Sequence, residues 1–221
     1  MHNRSGDDDA VAPLVIAIDG PAGAGKSTVG RALAARLAIA YLDTGAMYRA
    51  MTFAALRRGV AVGALDDVAA LAPQVDIVID GARVLVDGVD ATAAIRGREV
   101  TEAVSQVAAN PAVRDVLVER QRAWVAEHGG GVVEGRDIGS VVFPSATLKL
   151  YVTASPRVRA QRRVSEIGGD VDEIEASIIT RDRIDSSREH SPLTESSDAI
   201  TVDTTGMSID EVVEHVLGLL P

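Results

Sequence analysis

The stretch Leu14-Val15-Ile16-Ala17-Ile18-Asp19-Gly20-Pro21-Ala22-Gly23-Ala24-Gly25-Lys26-Ser27-Thr28 decides the fold. An apolar run of strand length ends in a glycine-rich turn that opens a helix expected over about 26–37. Gly20, Gly25, Lys26 and Ser27 fit G-x-x-x-x-G-K-[ST], in which glycines let backbone N–H groups turn inward around phosphate oxygens. The lysine then reaches the β/γ-phosphates and the Ser27 hydroxyl ligates Mg²⁺. The positive end of the helix faces the same anion. Residues 20–28 are therefore the expected cradle for a nucleoside triphosphate.

Composition sets limits around that site. The 221 residues are 47% hydrophobic but only 3% aromatic, so aliphatic packing must build the core. A formal charge of −10 and a pI near 4.8 argue against a nucleic-acid or anionic-membrane surface. There are no cysteines, hence no disulfide framework and no thiolate zinc site, and the expected compartment is the cytoplasm. Lys26 and Lys149 are the only lysines, so nearly all positive charge is carried by arginine, the side chain that binds phosphate bidentately. Residues 1–10 are polar, with Asp7, Asp8 and Asp9 in a run, and read as a disordered acidic tail. No span approaches the eighteen or so apolar residues that cross a membrane, and the chain is expected to act as a monomer.

Outward from the phosphate loop, Ala38 to Leu42 reads as a second strand that delivers Asp43-Thr44-Gly45-Ala46-Met47-Tyr48-Arg49 to its carboxyl end, where open α/β sheets bind ligands. Helical spacing follows from Ala46 to Arg58, with Tyr48 and Arg49 in the first turn and Gly59 as the stop. Val75 to Ile79, Arg83 to Val86 and Val89 to Ala91 then alternate apolar and polar around Asp80-Gly81 and Asp87-Gly88, predicting a small antiparallel unit. Helices are predicted over 99–109 and from Pro111, capped by Asn110, to about His128, where Gly129-Gly130-Gly131 ends the second. Val132 to Glu134 reads as a strand leading into Gly135-Arg136-Asp137, and Thr147 to Val152 as the next. Ser155-Pro156 opens an arginine-rich helix that breaks at Gly168-Gly169. Another helix carries Arg181, Asp185 and Arg188. Ala199 to Val202 is the last strand, and Ser208 with Glu211 forms a capping box for the closing helix.

The fold class is therefore α/β: a P-loop NTPase fold with a central parallel sheet flanked by helices, a small antiparallel insertion and a helical lid. The domain spans 11–221, with a core of about 11–45, 111–156 and 191–221, an insertion of about 46–110 and a lid of about 157–190.

A phosphate loop alone does not separate a kinase from a switch or a motor. The guanine reader Asn-Lys-x-Asp is missing, since neither Asn3 nor Asn110 precedes a lysine. A small kinase needs guanidiniums from several segments to hold an acceptor phosphate, and Arg49, Arg136, Arg181 and Arg188 supply them from three. Taken singly, each also reads as a solvated surface arginine. Asp137 with Arg114 would complement cytosine, whose N4 donates while N3 and O2 accept. Uracil reverses two of these, and each mispaired buried group costs about 1–3 kcal/mol. The alternative for Asp137 is a pair with neighbouring Arg136, and that for Ser105 is an ordinary helix-surface serine. Arg159 and Arg163, four residues apart, can approach ATP or form a solvated stripe paired to Glu166. Asp19 and Asp43 either orient metal-bound waters or serve the structure.

The combination of residues 18–27, Leu42-Asp43-Thr44-Gly45-Ala46-Met47-Tyr48-Arg49, Ala103-Val104-Ser105-Gln106-Val107-Ala108, Glu134-Gly135-Arg136-Asp137-Ile138-Gly139 and Arg181-Asp182-x-x-Asp185-x-x-Arg188 resembles the bacterial cytidylate kinases over nearly the whole chain beyond the tail. That resemblance implies transfer of the ATP γ-phosphoryl group to CMP or dCMP. It further implies that Arg49, Arg136 and Arg188 grip the acceptor phosphate, that Ser105, Arg114 and Asp137 read the base, and that Arg181 and Asp185 touch the ribose. Thr44, with Tyr48 on the substrate side, stands where many relatives carry serine. Lys26, Arg136 and Arg188 are the expected catalytic residues, with no catalytic base. A kinase for another small acceptor, such as a different monophosphate or shikimate, and a non-catalytic nucleotide switch are the alternatives.

Overall fold

β1 (Leu14–Asp19) is the middle strand of a five-stranded parallel sheet in a computed structural model that describes residues 13–188 and 192–220. The tail 1–10 and the last two residues of the segment 157–190 lie outside the described residues. The strand order is β2 (Tyr41–Asp43), β6 (Gly130–Glu134), β1, β7 (Leu148–Thr153), β8 (Ile200–Asp203). Ile16 pairs with Val132 on one side and with Leu148 on the other. The period-two alternation of β1 decides the two cores. Val15 and Ala17 face α2 (Thr44–Arg57) and α5 (Pro111–Glu127), whereas Ile16 and Ile18 face α1 (Lys26–Leu37) and α8 (Ile209–Leu217).

The predicted strands and helices shift by a few residues, each for a local reason. α2 starts at Thr44 rather than Ala46 because the Asp43 carboxylate caps the Ala46 N–H at 3.0 Å. β6 starts at Gly130, so Gly130 and Gly131 belong to the strand and do not merely end α5. Gly130 is there for closeness: a Cβ would sit 2.5 Å from the Leu14 carbonyl oxygen. Asn110 caps α5 through the N–H groups of Ala112 and Val113, and Ser208 with Glu211 closes the capping box of α8, both as expected.

β3 (Ile77–Asp80), β4 (Arg83–Val86) and β5 (Val89–Asp90) form the separate antiparallel sheet. Its second turn is Asp87-Gly88, both with positive φ, as a two-residue hairpin demands; the first is centred on Gly81-Ala82, one residue later than expected. This sheet is reached through α3 (Leu65–Leu71), which the sequence reading passed over, and is followed by α4 (Arg98–Ala109), packed on α2. A further unanticipated element is a π-helical turn, Ile138–Val142, after β6. α6 (Pro156–Ile167) and α7 (Val171–Ser186) pack as a hairpin about Gly168-Gly169. Among the described residues no helix is long and apolar enough to cross a membrane.

Candidate active site

The carboxyl ends of β1, β2 and β6 open onto a cleft of about 1500 Å³ that runs from the phosphate loop to α4 and α7. Backbone geometry shapes its floor. Gly20, Gly23 and Gly25 all have positive φ, and a Cβ on Gly20 would lie 1.9 Å from the carbonyl oxygen of Val152. Gly25 in the left-handed region is followed directly by the first turn of α1, so free N–H groups there point at the cleft. Lys26 is buried and donates to the Pro21 carbonyl at 2.9 Å. Burial, aided by the guanidinium of Arg136, pushes its amine below the ordinary lysine range.

Ser27 Oγ donates to Glu134 Oε1 at 2.6 Å. Glu134 ends β6 and is buried, and burial together with the nearby Asp43 carboxylate raises it above the ordinary range. The sequence reading missed it. Its signal was positional: a carboxylate closing the strand that pairs with β1. Asp43, by contrast, caps α2, and both oxygens of Asp19 accept main-chain N–H groups, from Ile138 and Gly139 at 2.7 Å each.

At the other end of the cleft Asp185 is the hub. Arg136 Nε lies 2.9 Å from it, Arg188 pairs with it, Arg181 Nε stands at 3.9 Å, and Ser105 Oγ donates to it at 3.4 Å. Arg136 also donates to the Gly20 carbonyl at 2.7 Å, which links this hub to the phosphate loop. Arg49 donates to the Ile95 carbonyl and to Thr101 Oγ1. One carboxylate cannot offset so many cations. Burial and the surrounding guanidiniums push Arg49 and Arg181 down to about 10, and they lower Arg188 as well. Burial alone would raise Asp185, but Arg136, Arg188 and Arg181 hold it below the usual carboxylate range. Around Asp185 the positive charge of Arg136, Arg181 and Arg188 exceeds what one carboxylate neutralises.

Asp137 pairs with Arg114 rather than with Arg136, and both partners are buried. Arg114 stacks over the Tyr48 ring at 5.4 Å and also donates to the Ala108 carbonyl. Burial pushes the Tyr48 hydroxyl up to about 12. Thr44 donates its hydroxyl to the Glu134 carbonyl at 2.7 Å, so that donor is spent within the fold.

Two arginines of α6 divide differently from the even spacing expected of them. Arg159 is buried behind the phosphate loop, donating to the carbonyls of Ala22 and Ala154 and pairing with Asp182 at 2.6 Å. Arg163 borders the cleft and pairs with Glu166. Arg162, not anticipated, also borders it. Its guanidinium donates to Thr204, whose own hydroxyl reaches the Ala24 and Thr153 carbonyls. Arg49, Arg136, Arg181 and Arg188 thus meet Lys26 and Ser27 around one cavity.

Residues 16–221 match the family model described as cytidylate kinase. The chain belongs to the cytidylate kinase family. It is 47% identical over 214 residues to the cytidylate kinase of Desulfitobacterium hafniense, covering 93% of this chain and 92% of that one. It is also 47% identical over 218 residues to that of Geobacillus kaustophilus (94% and 96%), and 45% identical to that of Streptomyces griseus over 214 (94% and 92%). At the level of fold alone, it is similar to an uncharacterized protein from Eubacterium ventriosum (TM-score 0.53, 12% identity, 93% and 97% covered). A sugar kinase from Janibacter shows the same likeness (TM-score 0.50, 14% identity, 93% of each chain covered). Membership of the cytidylate kinase family makes this chain a nucleotide kinase with ATP as co-substrate.

Proposed function

We propose that this chain transfers the γ-phosphoryl group of ATP to CMP or dCMP, giving ADP and CDP or dCDP. The observation that carries the reading is the cleft itself: a phosphate loop at one end, and at the other a crowd of guanidiniums gathered by Asp185 and under-neutralised by it. In this reading residues 20–28 cradle the triphosphate and Arg49, Arg136 and Arg188 hold the acceptor phosphate. Asp137 and Arg114 face the cytosine edge, with Ser105 beside them, and Arg181 and Asp185 face the ribose. The donor, acceptor and transferring group are aligned by these contacts, and positive charge from Lys26, Arg136 and Arg188 surrounds the transferring group. The attacking oxygen belongs to an ionised phosphate, so no side chain removes a proton.

Ser27 Oγ and Glu134 Oε1 are adjacent hard oxygen donors at the phosphate loop and fit Mg²⁺. Mg²⁺ held by these two oxygens would neutralise charge on the phosphate oxygens. The hairpin of α6 and α7, with Arg163 on the cleft side, serves as the lid that keeps water from the γ-phosphate. A net charge of −10 supports small nucleotides rather than nucleic acid as partners. In this reading the chain acts as a monomer, and the cysteine-free sequence supports a cytoplasmic setting.

The test is ADP release measured by a coupled assay across CMP, dCMP, UMP, AMP, GMP and shikimate, with and without EDTA. The expected result is release driven by CMP and dCMP and abolished by EDTA. A different preferred acceptor, or tight ATP binding without acceptor-dependent release, would overturn the reading.

A further inference from the structure

The carboxylate of Asp19 lies outside the cleft, buried, and accepts from two adjacent main-chain N–H groups, one per oxygen, Ile138 to Oδ1 and Gly139 to Oδ2, both at 2.7 Å. Those amides open the π-helical turn, whose internal bonds begin only with the N–H groups of Val141 and Val142 on the Asp137 carbonyl. They are therefore donors with no partner inside their own element, and Asp19 supplies both partners. Three residues before Ile138, the Gly135 N–H donates to the Ile18 carbonyl at 2.9 Å. The last two residues of β1 thus pin the segment 135–139 at both ends. Between the pins lie only Arg136 and Asp137, the first directed to Asp185 and the Gly20 carbonyl, the second to Arg114.

We infer that Asp19 is a positioning residue for acceptor-base selectivity: by fixing the start of the π-helical turn it sets where the Asp137 carboxylate stands against Arg114. Because Asp19 immediately precedes Gly20, the same pin fixes the base-reading segment relative to the phosphate loop. The inference rests on the proposed reading of Asp137 as the residue that faces cytosine.

Asp19→Asn preserves shape but presents an NH₂ group to one of the two amides. The expected result is a KM for CMP raised about tenfold or more, the decade or so that one mismatched buried donor costs. The ratio of kcat/KM for CMP over UMP should fall by a similar factor, while the KM for ATP stays within about twofold of wild type. Loss of stability alone would move neither the ratio nor one KM selectively. Asp137→Asn is measured in parallel. If it leaves the CMP to UMP ratio unchanged, the base-reading role of Asp137 fails. If Asp137→Asn collapses the ratio and Asp19→Asn does not, or if Asp19→Asn raises only the KM for ATP, the inference alone fails. Should Asp19→Asn not fold, hydrogen exchange on the wild-type protein decides: slow exchange at Ile138 and Gly139 with or without CMP supports the pin, and fast exchange that slows only when CMP is added overturns it.

Discussion

Removing the charge from Asp185 leaves Arg136 and Arg188 facing each other with Arg181 close by, in a site where Asp185 itself is almost fully buried. Stripping one partner from a buried ion pair costs about 3–5 kcal/mol, and the lower end applies because the arginines border an open cleft. For a chain of this length each kcal/mol moves Tm by about 2–4 °C, so Asp185→Asn is expected to melt about 6–12 °C below wild type. The deficit has a signature that ordinary destabilisation lacks. An anion that binds the freed guanidiniums restores charge balance, so inorganic phosphate should raise the Tm of the variant by several degrees more than that of wild type. It also has a pH signature. A carboxylate held below its usual range contributes stability that is present above its unfolded pKa and lost as pH falls through its folded one, so the two proteins should converge in acid. Calorimetry with and without phosphate from pH 3 to pH 8 reads all three. A Tm within about 2 °C of wild type at neutral pH, or equal stabilisation of both proteins by phosphate, would refute the claim that Asp185 holds these cations together.

Arg188→Ala should lower turnover about a hundredfold or more, as expected for a guanidinium on the transferring or accepting phosphate; steady-state rates with CMP, alongside an unchanged circular dichroism spectrum, check it. Gly20→Ala places a methyl group 1.9 Å from the Val152 carbonyl oxygen at a φ of 143°, and is expected to abolish ATP binding by calorimetric titration. Asp19 runs opposite to Asp185 in acid. Burial raises its pKa from 3.8 to about 6, so the folded state binds the extra proton between those values and stability falls as pH rises through that window. At 1.36 kcal/mol per decade the difference approaches about 3 kcal/mol, and denaturant unfolding of Asp19→Asn should show a flatter slope between pH 4 and pH 6 than wild type.

Local chemistry was legible in the sequence wherever one residue type answers one geometric demand. The glycine spacing of the phosphate loop, Asn110 before Pro111, Ser208 with Glu211, and Asp87-Gly88 each predict a turn or cap that forms. α3 was not legible because seven residues span barely two helical turns, too few for periodicity to separate helix from loop. Gly130 and Gly131 mimic a helix stop, but close approach requires them: Gly130 to the Leu14 backbone, more than a hundred residues away, and Gly131 to the Ala40 carbonyl. At the site, helical spacing identified the arginine-bearing face of α6 but not depth along it. Arg159 is buried behind the loop, whereas Arg162 and Arg163 reach the cleft. The choice of Arg114 over Arg136 as partner of Asp137 is likewise tertiary, since it depends on how α5 packs beside β6.

The scarcity and placement of lysine give the site its own chemical reporter. Both ε-amines of the chain are buried, Lys149 against Asp198 and Lys26 in the phosphate loop. Burial and the guanidinium of Arg136 lower the proton affinity of the second, which raises the share of it present as free, nucleophilic amine. A nucleotide lying in the loop draws that amine onto its phosphates and shields it. The rate of lysine acylation, read by mass spectrometry on a single tryptic or acid-cleaved peptide, then measures occupancy of the donor end directly, with no turnover required.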